Sequence, residues 1–399
     1  MYKAQNFRAW RFRSLNYIFH ATAIQQRLGL HLAVISLTSP IKGRDTQLLA
    51  KDFFQFIQKK QERWIKPLKK KDESQLIAKI GNVDWDVPGH RQIKEMSQVR
   101  DIIKWSQKLG LIDEKKKNMW TPLGAVLSKI IEQDQKKAFL ATNNHTNPLK
   151  LTIKQKIFFL YLLLLKDGDF LLRFSTRLPK KIFSANDVVE CYYDAWKEIA
   201  NSLLSSKEYK YMSEGRDLSR SINDLQKSSV YLRVQSKLEN LTDLSILTRA
   251  EERNYQYNPG ISKLEALNRI SSIIISNNPK QSEDHWRSFF GSEFFLFASE
   301  IFNINGLQNV SEKLLVSHIL NAYHKLVGGL GLCRISEISL LAGIEGLLDD
   351  PPVVIETTAI KDTLYDMNKQ YRKLVSLHVD MLGNISYVKI DKSLLSQLI

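Results

Sequence analysis

Cysteine is nearly absent: Cys191 and Cys333 are the two in 399 residues. Two thiols cannot build a disulfide framework or a cysteine-based zinc site, so a reducing, cytoplasmic setting is expected, with no metal and no cofactor. Long apolar runs are missing too. The longest, residues 157–165, spans nine residues, whereas a membrane-crossing helix needs about twenty. It is expected to be a buried helix, and no membrane partner is expected. The opening MYKAQNFRAWRFRS is basic but carries no apolar stretch or small-residue cleavage site, so it is not expected to be a secretory signal.

Catalytic signatures are also scarce. No Gly-x-x-x-x-Gly-Lys-Ser/Thr phosphate loop and no Gly-x-Ser-x-Gly elbow occur. Gly328-Gly329-x-Gly331 lacks the third glycine of a dinucleotide loop and follows no strand pattern, so it reads as a helix break. His318 and His324 stand six apart, a spacing that does not suit a pair of metal ligands on one helix. Asp84 and Asp86 with His90, and Asp349-Asp350 with Glu356 and Lys361, are the acidic clusters that a metal-dependent nuclease would need to use. Neither follows the pattern of a strand-borne acid and then Glu-x-Lys. No catalytic activity of the chain's own is therefore expected. An endonuclease with dispersed acidic residues is the alternative these clusters keep open.

What the sequence does hold is positive charge, unevenly placed. The chain has 58 Lys and Arg against 42 Asp and Glu, a net +16. Residues 1–150 carry 28 basic and 13 acidic side chains, a balance of +15, and residues 151–399 carry 30 and 29. A basic part joined to a neutral body is the footprint of polyanion binding. Length suggests roughly two to four modules. They are read as a basic N-terminal region over 1–95, a unit over 96–145, a helical segment with a second unit over 150–276, and a third over 285–399.

Within 1–95, Arg8, Arg11 and Arg13 alternate with Phe7, Trp10, Phe12 and Tyr17. HLAVISL at 31–37 is expected to be a buried strand, and 47–68 a helix ending in a lysine-rich run. NVDWDVPGH at 82–90 and NNHTNP at 143–148 read as connectors. Helices are expected at 123–135, 153–165 (leaving at LKDGDF), 183–204, 261–275, 311–327, 336–348 and 359–374, with NNPKQSED at 277–284 as a linker. A short strand is expected at 353–356.

The pattern that organises the chain is a helix followed by a β-hairpin with a charged tip. In 228–260, Val230, Val234, Leu238 and Leu241 recur at helical spacing, with Arg233 and Lys237 off that face; LSIL and NYQY then flank a tip at 249–254. In 98–124 a helix bearing Arg100, Lys104 and Lys108 leads into LGLI, the tip EKKKN and MWT. At the C-terminus a helix precedes 375–380, the turn MLGN and 385–390, a tip without basic residues.

On these residues the chain resembles tandem winged helix-turn-helix proteins. Its size and repetition resemble the DNA-recognition subunits of bacterial restriction and phage-defence systems. The fold implied is mainly α with small β-hairpins (α+β), in several modules. The function implied is binding of double-stranded DNA, with a partner protein subunit as a further expectation. Arg100, Lys104, Lys108, Arg233 and Lys237 are the groove-facing candidates. Lys115, Lys116, Lys117, Arg249 and Arg253 are the wing candidates. A scaffold that docks a separate nuclease or ATPase through 151–399 is the reading from another class.

Overall fold

A computed structural model describes residues 27–64, 96–140, 149–224, 227–251, 254–258, 262–328, 331–380 and 385–391. Arg253, the aromatic and arginine residues of 1–26, the connectors at 82–90 and 143–148 with Asp84, Asp86 and His90, and the turn MLGN lie outside them. So do the side chains of the lysine run beyond residue 56. The described chain is mainly helical, with a few short strands that pair antiparallel except for a parallel pair between 308–309 and 353–354.

Among the described residues the first segment builds five helices and a hairpin. HLAVISL, expected as a strand, lies in a helix, α1 (Gly29–Leu37), whose residues Gly29 to Ile35 are all buried. A short run that is apolar on every side has no alternation to mark a strand, and burial all round suits either structure. Thr38 ends α1 by donating its hydroxyl to the Val34 carbonyl (2.9 Å), and Ser39-Pro40 prevents continuation. Next come α2 (Thr46–Trp64) and α3 (Met96–Lys108), both packed on α1 and on each other. The first unit therefore draws on helices from both sides of residue 95.

In α3, Val99, Ile102, Ile103 and Ser106 face inward, while Arg100, Lys104 and Lys108 recur every fourth residue on the exposed side. Gly110, at φ +75°, closes the helix in the left-handed region. The chain then enters β1 (Ile112–Asp113), a 3₁₀ turn (Glu114–Lys116) and β2 (Met119–Trp120), with Ile112 opposite Trp120. Thr121 caps α4 (Pro122–Ile130) by accepting from Gly124 N, with Pro122 opening the helix. The helix expected at 123–135 is thus two, α4 and α5 (Gln133–Leu140).

The second segment opens with α6 (Ile153–Ser175), which runs straight through LKDGDF. The expected exit is a kink at Asp167 (φ −144°, ψ 23°), after which the helix resumes. Gly168 is needed there because a Cβ would fall 2.3 Å from the Trp286 ring. β3 (Phe183–Ser184) and a 3₁₀ turn precede α7 (Val189–Leu204), where one longer helix was expected. Then follow α8 (Tyr209–Asn223), α9 (Lys227–Asp243), β4 (Leu247–Glu251) and β5 (Asn254–Tyr257). The three strands run in the order β3-β5-β4, all antiparallel.

α10 (Ser262–Ile274) leads to 277–284, which is not a linker. Asn278 accepts from the Lys280 and Gln281 amides, Pro279 takes the first position, and α11 (Pro279–Ser288) follows. A π-helical turn (Phe289–Glu293) joins it to α12 (Phe294–Phe302). The third segment adds β6 (Gln308–Asn309), α13 (Glu312–Leu326), β7 (Cys333–Arg334), α14 (Ile335–Gly346), β8 (Val353–Val354), α15 (Thr357–Gln370), β9 (Val375–Val379) and β10 (Ile385–Ile390). Its main sheet has the order β7-β10-β9.

The second and third segments thus share one connectivity: helix, short strand, two or more helices, then a hairpin whose second strand takes the centre. The first keeps a trace of it, since Ser39 O accepts from Trp120 N (3.2 Å) where a first strand would lie. A continuous apolar core joins all three. α14 packs on α4 and α6. Tyr161 of α6 meets Phe290 and Phe294 edge-on at 5.0 and 5.1 Å between ring centres.

Candidate nucleic-acid interface

The candidate cations divide sharply by unit. Arg100, Lys104 and Lys108 lie along the exposed face of α3, and Lys115, Lys116 and Lys117 are exposed at the tip between β1 and β2. Partial desolvation, followed by the charge of Lys104, lowers the Lys108 pKa. Burial is the larger cause, the like charge on the same face adds to it, Asp101 opposes both, and a polyanion would favour the charged form.

The tip is a built structure, not a loose loop. Asp113 caps the 3₁₀ turn by accepting from Lys115 N (3.0 Å), and Lys117 and Asn118 both take left-handed backbone, at φ 52° and 61°. Asn118 is buried beneath them. Its side-chain amide donates to Arg44 O and Thr46 Oγ1, both at 3.0 Å, and its oxygen accepts from Gln107 Nε2 at 2.6 Å. Arg44 N donates to Lys117 O at 2.6 Å. The loop between α1 and α2 therefore clamps the tip, and Lys42 and Arg44 join its lysines on one rim. Sequence reading missed this pair because more than 70 residues separate it from the tip. Pro40 and Gly43 are the only local hint of a tight loop.

The second unit turns its cations inward. Lys237 Nζ lies 2.6 Å from Asp167 Oδ2, both side chains 3% exposed, and sits over the Phe170 ring. Burial pushes the Asp167 carboxyl up to about 6 against the pull of Lys237. Arg249 belongs to strand β4 rather than the tip, and it pairs with Glu239, which also accepts from Tyr255 OH (2.6 Å). Arg27 completes the cluster. It reaches Glu239 at 2.9 Å and Asp243 at 2.6 Å, while Leu28 N donates to Asp243 at 2.8 Å. Arg233 is half-buried beside Tyr192, where its charge opposes the rise that burial causes in the tyrosine pKa. As placed, Lys237 and Arg249 are core ion-pair partners and cannot reach a groove or a phosphate. Residues 236–243 of α9 are all buried, so Lys237, expected off the apolar face, lies inside together with Glu239 and Asp243.

In the third unit α15 exposes Lys361, Asp362, Asp366 and Lys369, a mixed face without a cationic stripe. Asp349 lies 2.7 Å from His318, so one of the acids considered for metal chemistry already has a partner. Among the described residues no group of three His, Cys, Asp or Glu side chains is placed to hold a metal ion, and no helix is long and apolar enough to cross a membrane. No protein-family model, curated protein or solved structure matches the chain.

Proposed function

We propose that this chain is a double-stranded DNA-binding protein built from winged helix-turn-helix units, acting as the recognition subunit of a larger bacterial DNA-transacting or defence system. The observation that carries this reading is the exposed cationic surface of the first unit, where the α3 stripe and the clamped lysine tip follow one another along a helix–hairpin element. The shared strand order of the second and third units supports the winged-helix part of the reading. In such a unit the last helix enters the major groove and reads base edges, while the hairpin grips the flanking backbone. Arg100, Lys104 and Lys108 are then the readout side chains, and Lys115, Lys116 and Lys117 hold phosphates as point charges. The second unit serves as a brace for the first, because its own cations hold Asp167 and Glu239 inside the molecule.

The test is duplex binding by the full chain at low and high salt, with Lys104 and Lys108 changed to alanine. Binding at low salt that weakens steeply as salt rises, with altered preference among sequences in the double variant, is expected. A chain that elutes free of nucleic acid at low salt and binds no duplex would refute it.

A further inference from the structure

The loop between α1 and α2 carries Ile41 at 86% exposure, the most exposed large apolar side chain among the described residues. A lone exposed isoleucine is ordinary protein surface. Two features set this one apart.

The first is that the exposure is enforced. Ile41 N and Lys42 N both donate to Ser39 Oγ, at 3.2 and 3.3 Å, so the backbone turns tightly under the side chain. Ser39 O is held by Trp120 N on one side, and Arg44 N is held by Lys117 O on the other. Gly43 fits so closely on the hairpin that a Cβ would lie 2.8 Å from Lys117 Cβ and 2.9 Å from Lys116 O. Pro40 fixes its own φ. Fastened at both ends, the loop presents Ile41 outward and gives it no route back to the core.

The second is the surrounding charge. Lys42, Arg44, Lys115, Lys116 and Lys117 are all exposed on this rim. The nearby acids are mostly committed elsewhere: Asp45 accepts from Gln47 N (2.7 Å), Asp113 from Lys115 N (3.0 Å), and Asp52 pairs with Arg44 (2.6 Å). Glu114 is the remaining acid at the tip. The Arg44–Asp52 pair is itself well exposed, so it holds little energy and can open to a phosphate.

An apolar point ringed by cations matches a polyanion with an apolar interior. We infer that Pro40 and Ile41 form a wedge that inserts at a base step in the minor groove of duplex DNA, while Lys42, Arg44 and the tip lysines hold the phosphates on either side. The inference rests on the DNA-binding reading of the same unit. Insertion of this kind partly unstacks the step and kinks the duplex toward the major groove, by about 20–90° in wedge-type binders. It would favour pyrimidine–purine steps, which open most easily.

The experiment uses the full chain and a duplex of about 30 base pairs, a length over which a kink is readily seen, with donor and acceptor dyes on its ends. Affinity and energy transfer are followed across a salt series. The native chain is expected to raise energy transfer above that of the free duplex. Ile41→Ser is expected to bind about ten- to a hundredfold more weakly, as loss of a buried aliphatic side chain implies, with an unchanged salt slope and with energy transfer back at the free-duplex level. Ile41→Leu is expected to keep both affinity and bending. Ile41→Ser should unfold at the native temperature, since the side chain it removes supports nothing in the core. Equal affinity and equal bending in native and Ile41→Ser chains would overturn the wedge while leaving DNA binding intact. No duplex binding by the native chain would overturn the DNA reading itself. A defect confined to vesicles of anionic phospholipid, with duplex bending unaffected, would also overturn the wedge, in favour of a membrane surface.

Discussion

Lys237 and Lys104 are both helical lysines four residues from another cation, yet they do opposite things. Lys104 is exposed on α3, so Lys104→Ala should alter stability by about 0.5 kcal/mol or less. Lys237 neutralises Asp167 inside the core, and Lys237→Ala would leave that carboxylate buried without its partner. A loss of about 3–5 kcal/mol is expected for Lys237→Ala in chemical denaturation, and a cost as small as that of Lys104→Ala would contradict the placement. His31 offers a pH test of the same kind. Burial lowers its pKa to about 3, with its Nδ1 2.8 Å from Ser106 Oγ. The unfolded chain therefore takes up a proton near pH 6.5 that the folded chain refuses. Stability from the neutral ring is present above pH 6.5 and is lost as pH falls toward 3, by about 1.4 kcal/mol per unit at most. Asp167 works the other way between about pH 4 and 6, because its raised pKa favours the folded state at the lower pH. The comparison must therefore be made between native and His31→Leu chains, in which the Asp167 contribution cancels. The variant is expected to lose less stability on acidification; parallel curves would mean that His31 is not buried as described.

At the scale of elements, what the sequence made legible depended on whether a pattern had one physical meaning. The strands at 254–257 and 385–390 and the helices around 312–326 and 335–346 lie where β-prone residues and helical spacing place them. Residues 31–37 misled because a short, wholly apolar run suits a buried strand and a buried helix alike. LKDGDF misled because its glycine signals an end locally, whereas the side chain that requires it, Trp286, lies more than 100 residues away. Of the candidate site, the α3 stripe and the lysine tip were readable as amphipathic spacing and a charged turn. The inward fate of Lys237 and Arg249 was not, since only tertiary packing brings Asp167 and Arg27 to α9 and its hairpin. The tip depends on Asn118, whose side chain joins three partners beneath it. Asn118→Ala removes these bonds and keeps a left-handed backbone that alanine disfavours, so a loss of about 2 kcal/mol or more is expected. It should also weaken duplex binding although no charge has changed. Native affinity in that variant would show that clamping the lysines is irrelevant to their task.

The whole molecule couples a basic first part to a neutral body through a shared core and a buried ionic cluster. Arg27 ties the start of the described chain to Glu239 and Asp243 more than 200 residues later. Arg27→Ala should therefore destabilise both parts together, by about 3–5 kcal/mol, as one cooperative transition. Two separate transitions would contradict a common core. In the proposed function, the same division of charge assigns DNA to the first unit and leaves the second as its support. The decisive measurement is the slope of log affinity against log salt for duplex binding by the full chain, native and with Lys115, Lys116 and Lys117 changed to glutamate. A steep native slope is expected, reduced in the variant by about 0.9 for each phosphate that is no longer neutralised, for every duplex sequence alike and with the fold retained. An identical slope and affinity in a folded triple variant would contradict it.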